Sequence, residues 1–268
     1  MTRRCYKIRA MRIEWEIALE FFCWGLETFS RRDCGLILAG YRDLPSGREL
    51  DRLLERWRSQ QLIQQDGRGR TAQFTITEAG KKRTLACHPA AHWDTPWDGK
   101  WRVFSFDLPE SRRKDRVQLW RHLCAAKFGF LQRSVWVWPH DAEATLRQIV
   151  QAQGIPCCFC GFECSRLFLC DHGEIVATAW DFAEIGQRHR RYLQHDIASP
   201  AALKQSRDLS ALARLARVER DAYHHAFALD PLLPRSLWPK PYAGPAVDDL
   251  HRAFLAGLRR RLAELSHG

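Results

Sequence analysis

The segment from Trp101 to Pro139 restricts the fold more than any other part of the sequence. It opens with alternating apolar and polar residues that stop at Asp107 and a Leu-Pro pair, a pattern typical of a half-buried strand. An arginine-rich amphipathic segment follows, with apolar residues at helical spacing: Val117, Trp120, Leu123 and Cys124. A second β-rich run from Ser134 to Trp138 ends at a proline. Strand, helix and strand in so short a span predict a compact α+β module.

The residues that follow extend this module. A helix is expected from Ala142 to Gln153, and one or two strands are expected between Cys157 and Cys170. Strand–helix–strand–strand–helix–strand is the ferredoxin-like order. From Trp180 onward the pattern is helical, except for a proline-punctuated loop over residues 230–242. The sequence therefore predicts a ferredoxin-like centre followed by a mainly helical C-terminal domain.

The N-terminal third has a different order of elements. A broad apolar face predicts a first helix over Ile13–Phe29, and a short second helix is expected over Arg31–Ala39. Ser46 is a good N-cap for a third helix, whose apolar face is formed by Leu50, Leu53, Leu54 and Trp57. A strand at residues 62–64, a glycine-rich turn and a strand over Ala72–Thr77 complete the region. Three helices followed by a hairpin predict a winged helix-turn-helix.

Charge indicates what that winged helix-turn-helix would bind. The chain has a formal net charge of +11, and residues 1–88 contain 17 basic and 11 acidic side chains. An excess of cations in one region favours a polyanionic partner, here double-stranded DNA. The alternative is a solvated helix face in which arginines pair with Glu49, Asp51 and Glu55. The candidates for base contacts on the third helix, for its C-terminal end and for phosphate contacts on the wing are Arg48, Arg52, Arg56, Ser59, Arg68 and Arg70.

These patterns predict an α+β protein with three domains. A winged-helix DNA-binding domain is expected over residues 1–88, a ferredoxin-like dimerisation domain over 97–172, and a helical effector or interaction domain over 173–268. Residues 86–100 form the linker. No apolar run approaches the roughly 18–20 residues that a membrane-spanning helix needs, so a cytoplasmic protein without a membrane partner is expected.

The cysteines leave two interpretations open. In the cytoplasm the ten cysteines are expected to remain thiols. Their spacing around residues 157–170 also suits a structural metal site, although two separate CxxC pairs are absent. Packed thiols in strands are the simpler interpretation, and no metal or cofactor is predicted. The alternative metal ligands are Cys157, Cys160, Cys164 and Cys170.

Several motifs together resemble the PaaX-type transcriptional repressors, the regulators of bacterial phenylacetate degradation. The central stretches are WRVFSFDLPESRRKDR and KFGFLQRSVWVWP, and AWDF (179–182), RRYL (190–193) and LDPLLPRSLWP (229–239) follow. The resemblance implies a homodimeric, non-enzymatic repressor that is released from its operator by a small molecule such as an acyl-CoA. The residues proposed for effector contact, or for contact with a protein partner, are Trp180, Arg188 and Tyr192.

The central stretch also resembles the small ferredoxin-like nuclease subunits of CRISPR adaptation. There an acidic residue closes the first strand, as Asp107 does here, and a Q-x-S-V pattern recurs at Gln132–Val135. Paired Asp107 carboxylates in a dimer would hold Mg²⁺ and activate water for phosphodiester cleavage. The simpler interpretation is that Asp107 stabilises the turn before the following helix. A comparison of nucleic-acid cleavage by the wild type and by Asp107→Ala distinguishes the nuclease from the structural interpretation. Sequence motifs of hydrolases and of dinucleotide-binding enzymes are absent.

Overall fold

The computed structural model describes residues 28–30, 47–69, 72–80, 89–154 and 159–267. The described residues fall into two compact units. Unit 1 contains those in 28–91, 189–226 and 244–267, and unit 2 contains those in 92–188 and 227–243. Most of the predicted first helix, the predicted second helix, Arg70 and Cys157 lie outside the described residues. In the part of the chain described, no helix has both the length and the hydropathy that crossing a bilayer requires.

In unit 1 a helix packs beside a small antiparallel sheet. Helix α1, Gly47–Ser59, is followed by β2, Ile63–Asp66, and β3, Gln73–Ile76; β1, Thr28–Ser30, gives a strand order of β1-β3-β2. The four predicted apolar positions of α1 are all buried: Leu50, Leu53, Leu54 and Trp57. Apolar residues at i, i+3, i+4 and i+7 lie on one face of a helix, so burying that face fixes its orientation.

Strand β1 corrects one prediction. A helix was expected to continue to Phe29, but Thr28, Phe29 and Ser30 pair antiparallel with Thr75, Phe74 and Gln73 of β3. The broad apolar face of the preceding residues masked the change of period. Threonine and phenylalanine are enriched in strands, and the edge of β3 that does not pair with β2 supplies the hydrogen-bonding partners.

The turn between β2 and β3 depends on glycine. Gly67 and Gly69 have φ angles of +80° and +70°, in the left-handed region where a Cβ atom is unfavourable. This places Arg68 between two glycines, exposed at the tip of the hairpin.

Unit 2 is built on the predicted strand–helix–strand–strand–helix–strand order. The elements are β4 Trp101–Phe106, α3 Arg113–Ala125, β5 Gly129–Gln132, β6 Val135–Trp138, α4 Glu143–Gln153 and β7 Phe159–Cys164, preceded by the short helix α2 Pro89–Trp93. The sheet has the order β5-β6-β4-β7 and every pair is antiparallel. This is the ferredoxin-like arrangement, with β4 in the centre.

Both faces of the central strands β4 and β6 are covered. Alternation sends Phe104 and Trp136 to one face, where they pack with Leu119 and Leu123 of α3. The residues on the opposite face, together with those packed against them, are Trp101, Val137, Ile175, Val176, Ala179, Trp180, Leu233 and Leu237. Helix α5, His172–Ala179, supplies several of these residues, and its N-terminus is closed by a capping box between Asp171 and Glu174.

The remaining chain is mainly helical, as predicted. Its helices are α6 Phe182–Leu193, α7 Pro200–Gln205, α8 Leu209–Phe227 and α9 Gly244–His267. Asp181 accepts a hydrogen bond from the Glu184 amide at 3.0 Å, so it caps α6 as expected.

The proline-rich segment that follows α8 is held in unit 2 by polar side chains. The Trp238 indole donates to the Leu233 carbonyl at 2.8 Å, and the Tyr242 hydroxyl donates to buried Asp230 at 2.9 Å. Trp93 in turn donates to the Tyr242 oxygen at 3.1 Å. These bonds order a segment that proline excludes from regular helix and interior strand.

Candidate functional site

The exposed side of α1 carries three arginines. Arg48, Arg52 and Arg56 are exposed on the side opposite the buried leucines, and among the described residues their guanidinium groups form no ion pair. The predicted pairing of these arginines with Glu55 is not observed, because Glu55 pairs with Arg58 at 2.7 Å. Three guanidinium groups on one helical face can therefore donate hydrogen bonds to anions or to the edges of bases.

Ser59 lies at the end of the same helix. Its hydroxyl donates to the Arg56 carbonyl at 2.8 Å, which satisfies one of the carbonyls left over at a helix C-terminus. The Ser59 oxygen keeps its acceptor capacity, but its proton is already used.

A recess of about 590 Å³ lies beside the hairpin of unit 1. Arg58 donates to the Gln65 side chain at 3.2 Å, and Gln65 donates to the Gly67 carbonyl at 3.0 Å, so one wall is ordered by amide and guanidinium groups. The recess is lined by Arg58, Gln61, Ile63, Gln64, Gln65, Gly67, Arg68 and Thr77. Two arginines and several amide groups around a shallow recess suit a phosphate oxygen better than an apolar ligand.

The three residues predicted to contact an effector belong to two different units. Trp180 is buried in the core of unit 2, where its indole donates to the Lys127 carbonyl at 3.0 Å. Arg188, also in unit 2, pairs with Glu184 at 2.9 Å. Tyr192 belongs to unit 1 and is buried. All three side chains have protein partners.

Tyr192 belongs to a buried polar network in unit 1 that the sequence analysis did not identify. Its hydroxyl donates to Glu219, and burial, reinforced by the Glu219 charge, raises the pKa of that hydroxyl. His251 Nδ1 lies 2.8 Å from the same Glu219 oxygen, and the His251 ring stacks on Tyr223 with centroids 3.8 Å apart. Tyr223 donates to Asp248 at 2.8 Å. The sequence indicates this network only through polar residues at helical spacing within the otherwise apolar faces of α8 and α9.

Asp107 closes β4 as predicted and is exposed. The next carboxylate along the chain, Glu110, pairs with Arg116 at 3.0 Å, and Arg116 also donates to the Leu108 carbonyl. Arg116 of α3 therefore links Glu110 to the backbone just after β4.

The cysteines of β7 do not converge. Cys160 Sγ lies 3.2 Å from the Ser105 hydroxyl, whereas Cys164 Sγ donates to the Arg166 carbonyl at 3.1 Å. Cys170 is exposed, and Cys157 lies outside the described residues. Within the described ranges, no group of three histidine, cysteine, aspartate or glutamate side chains could hold a metal ion.

Comparisons with known proteins agree with the architecture of the centre. Residues 94–175 match the family model described as the PaaX protein central Cas2-like domain, so the predicted resemblance is confirmed. Among solved structures, the chain is similar to the uncharacterized protein Rv0674 from Mycobacterium tuberculosis, with a TM-score of 0.51 and 14% sequence identity. The alignment covers 88% of this chain and 98% of that chain, and at this identity the likeness is one of fold. No curated protein matches the chain.

Proposed function

We propose that this chain, whose central region is that of the PaaX-type regulators, is a DNA-binding transcriptional repressor. The observation that carries the proposal is the match of residues 94–175 to the PaaX central domain. It is supported by the exposed arginines of α1, which form no ion pair with any described residue and provide the charge that DNA binding requires. In this proposal the protein acts in the cytoplasm as a homodimer on an operator with two half-sites.

In this proposal residues 28–80 form part of a winged helix-turn-helix. The strand order β1-β3-β2 and the position of α1 directly before the β2–β3 hairpin support it. Helix α1 would enter the major groove, where arginine can donate two hydrogen bonds to guanine O6 and N7. Arg68 at the hairpin tip would contact phosphate, which positions the domain without reading sequence.

Replacing Arg52 with alanine is expected to weaken binding to a selected operator by about 5- to 150-fold, the equivalent of one bidentate base contact. Binding to mixed-sequence DNA should change less, because base readout contributes little to it. The measurement is fluorescence anisotropy with a duplex selected from a random-sequence pool and with an unselected duplex of equal length.

Two further variants serve as controls. Arg68→Ala should weaken binding to both duplexes and reduce the salt dependence, since a phosphate contact is lost whatever the sequence. Arg147→Ala removes an exposed arginine of α4 that pairs with Glu143 at 2.6 Å, and it should leave both affinities unchanged. Equal operator affinities for Arg52→Ala and the wild type would contradict the groove assignment.

We further propose that a small acyl-CoA-type effector releases the repressor by favouring a dimer geometry that no longer fits both half-sites. Trp180, Arg188 and Tyr192 are the residues proposed for contact with this ligand, and two of them, Trp180 and Tyr192, are buried and hydrogen-bonded in the protein without it. At a concentration of about 100 times its Kd, such a ligand should stabilise the protein by about 2.7 kcal/mol. Thermal unfolding with a panel of acyl-CoAs measures this, and a panel that shifts neither the midpoint nor the operator affinity would contradict it.

We propose no enzymatic role for Asp107. Its position at the strand end, beside the Arg116–Glu110 bridge, supports a part in closing the turn. The Mg²⁺-dependent cleavage assay on the wild type and Asp107→Ala tests this. Cleavage that the substitution abolishes would favour the nuclease alternative.

A further inference from the structure

The exposed side of α3 in unit 2 carries a second group of cations. Arg113, Lys114 and Arg121 are exposed, and none of them forms an ion pair with any residue that the structure describes. We name this surface the α3 cationic face.

The neighbouring carboxylates are already engaged by other arginines. Asp115 pairs with Arg112 at 2.6 Å, and Glu110 pairs with Arg116 at 3.0 Å. These pairs leave the α3 cationic face with no acidic side chain of its own helix available to balance it. The excess positive charge is therefore local, and it lies outside the winged-helix region.

Helix stability does not account for these cations. Arg113 and Lys114 lie in the first turn of α3, where the positive end of the helix dipole disfavours a cation. No side chain caps this end of the helix. Helix stability therefore does not favour cations at these two positions.

The face is long enough to contact more than one phosphate of a duplex. Arg113 and Arg121 are separated by eight positions, or about 12 Å along the helix axis. That distance is close to the width of the major groove of B-DNA, which is about 12 Å between its phosphate-lined edges. Gln118 between them is exposed and offers a further donor.

From this charge complementarity we propose that the α3 cationic face binds the phosphate backbone of duplex DNA. It forms a second DNA contact that carries no sequence information and lengthens the segment of DNA engaged by each subunit. The choice of DNA as the polyanion rests on the proposed function, whereas the un-neutralised face does not.

The test is the salt dependence of binding to a 40-base-pair duplex of mixed sequence. The variant is Arg113→Gln/Lys114→Gln/Arg121→Gln. The control, Arg133→Gln/Arg147→Gln/Arg166→Gln, removes the same charge from exposed arginines elsewhere in unit 2. Affinity is measured by fluorescence anisotropy from 50 to 200 mM NaCl, and thermal unfolding confirms that both variants fold.

The triple variant is expected to reduce the magnitude of the log–log salt slope by about 2 to 3 for each subunit bound, and by about 5 for the proposed homodimer, since each subunit loses three phosphate contacts of about 0.9 each. Affinity at 100 mM NaCl should fall at least about tenfold. The control should change the slope by less than about 1. The thermal midpoint of the variant should equal or exceed that of the wild type, because cations leave the first turn of a helix.

Equal slopes for the triple variant and the control would overturn the proposal and would leave the face for an acidic protein instead. This failure is distinguishable from failure of the proposed function. If the wild type selects no operator from the random pool, the proposed function fails. If Arg52→Ala loses operator binding while the α3 variant keeps the wild-type slope, only the α3 proposal fails.

Discussion

Replacing His251 with leucine is expected to lower the free energy of unfolding by about 3–5 kcal/mol, the cost of leaving a buried charge without its partner. His251 Nδ1 lies 2.8 Å from Glu219 Oε1, and the two residues are 3% and 0% exposed. Leucine fills a similar volume but donates no hydrogen bond. The Glu219 carboxylate would then keep only the Tyr192 hydroxyl as a donor in the described part of unit 1.

The measurement is thermal or denaturant unfolding, with an expected fall in midpoint of about 10 °C. His122→Leu is the matched control, because His122 is exposed on α3 and its loss should change stability by less than about 0.5 kcal/mol. In a Glu219→Gln background, His251→Leu should cost less, since no charge is stranded and the amide oxygen still accepts from Tyr192. Equal costs in the two backgrounds would mean that the carboxylate charge does not need His251.

Replacing Gly129 with alanine is expected to destabilise unit 2 by about 3 kcal/mol, at the upper end of the usual cost of overpacking a core. A Cβ atom at this position would lie 2.6 Å from Trp180 Cζ2 and 2.7 Å from the Ala179 Cβ atom. Trp180 has little freedom to move away, because its indole donates to the Lys127 carbonyl at 3.0 Å and packs against Trp101.

Gly161 of β7 offers the matched control for this prediction. It is also a strand glycine of the same sheet, yet the nearest atom to an added Cβ, the Phe104 Cβ, is 4.0 Å away. Gly161→Ala should therefore be neutral or slightly stabilising, since alanine reduces the conformational entropy of the unfolded chain. Similar unfolding midpoints for the two alanine variants would contradict the close packing of Gly129 against Trp180.

The elements were largely predictable wherever the pattern was local. The apolar face of α1 is described by four positions within eight residues, and the structure buries all four. The alternation of β4 likewise separates Phe104 from Trp101, and the structure places them on opposite faces of the sheet. Both are consequences of the helix and strand periods, which any short window of sequence displays.

Features that depend on residues far apart in the chain were not predictable in the same way. Trp180 was proposed for ligand contact because an aromatic side chain suits a pocket as well as a core. Its packing beside Gly129 becomes evident only when the second face of the sheet is covered. The bond between Glu219 and His251 joins residues 32 positions apart, and neither has a local pattern that indicates its partner.

The candidate DNA-contacting side chains show the same division. Their exposure follows from the helix period, so Arg48 and Arg52 could be named from the sequence. The sequence does not show whether a carboxylate neutralises them, because Glu55 has arginines on both sides. The structure pairs Glu55 with Arg58. Which arginines stay available is decided by side-chain geometry.

The sequence by itself determined the periodicity of α1 and of the elements of the central sheet, the order of those elements, and therefore the α+β class and ferredoxin-like centre. Periods and turns are local properties, governed by backbone geometry and by which face is apolar. Only the tertiary structure decided that both faces of β4 and β6 are covered, that Trp180 and Tyr192 are buried, and that the cations of α1 and α3 form no ion pair with the residues described. These outcomes depend on contacts between distant segments, where packing and charge pairing select one arrangement among many that the local pattern permits.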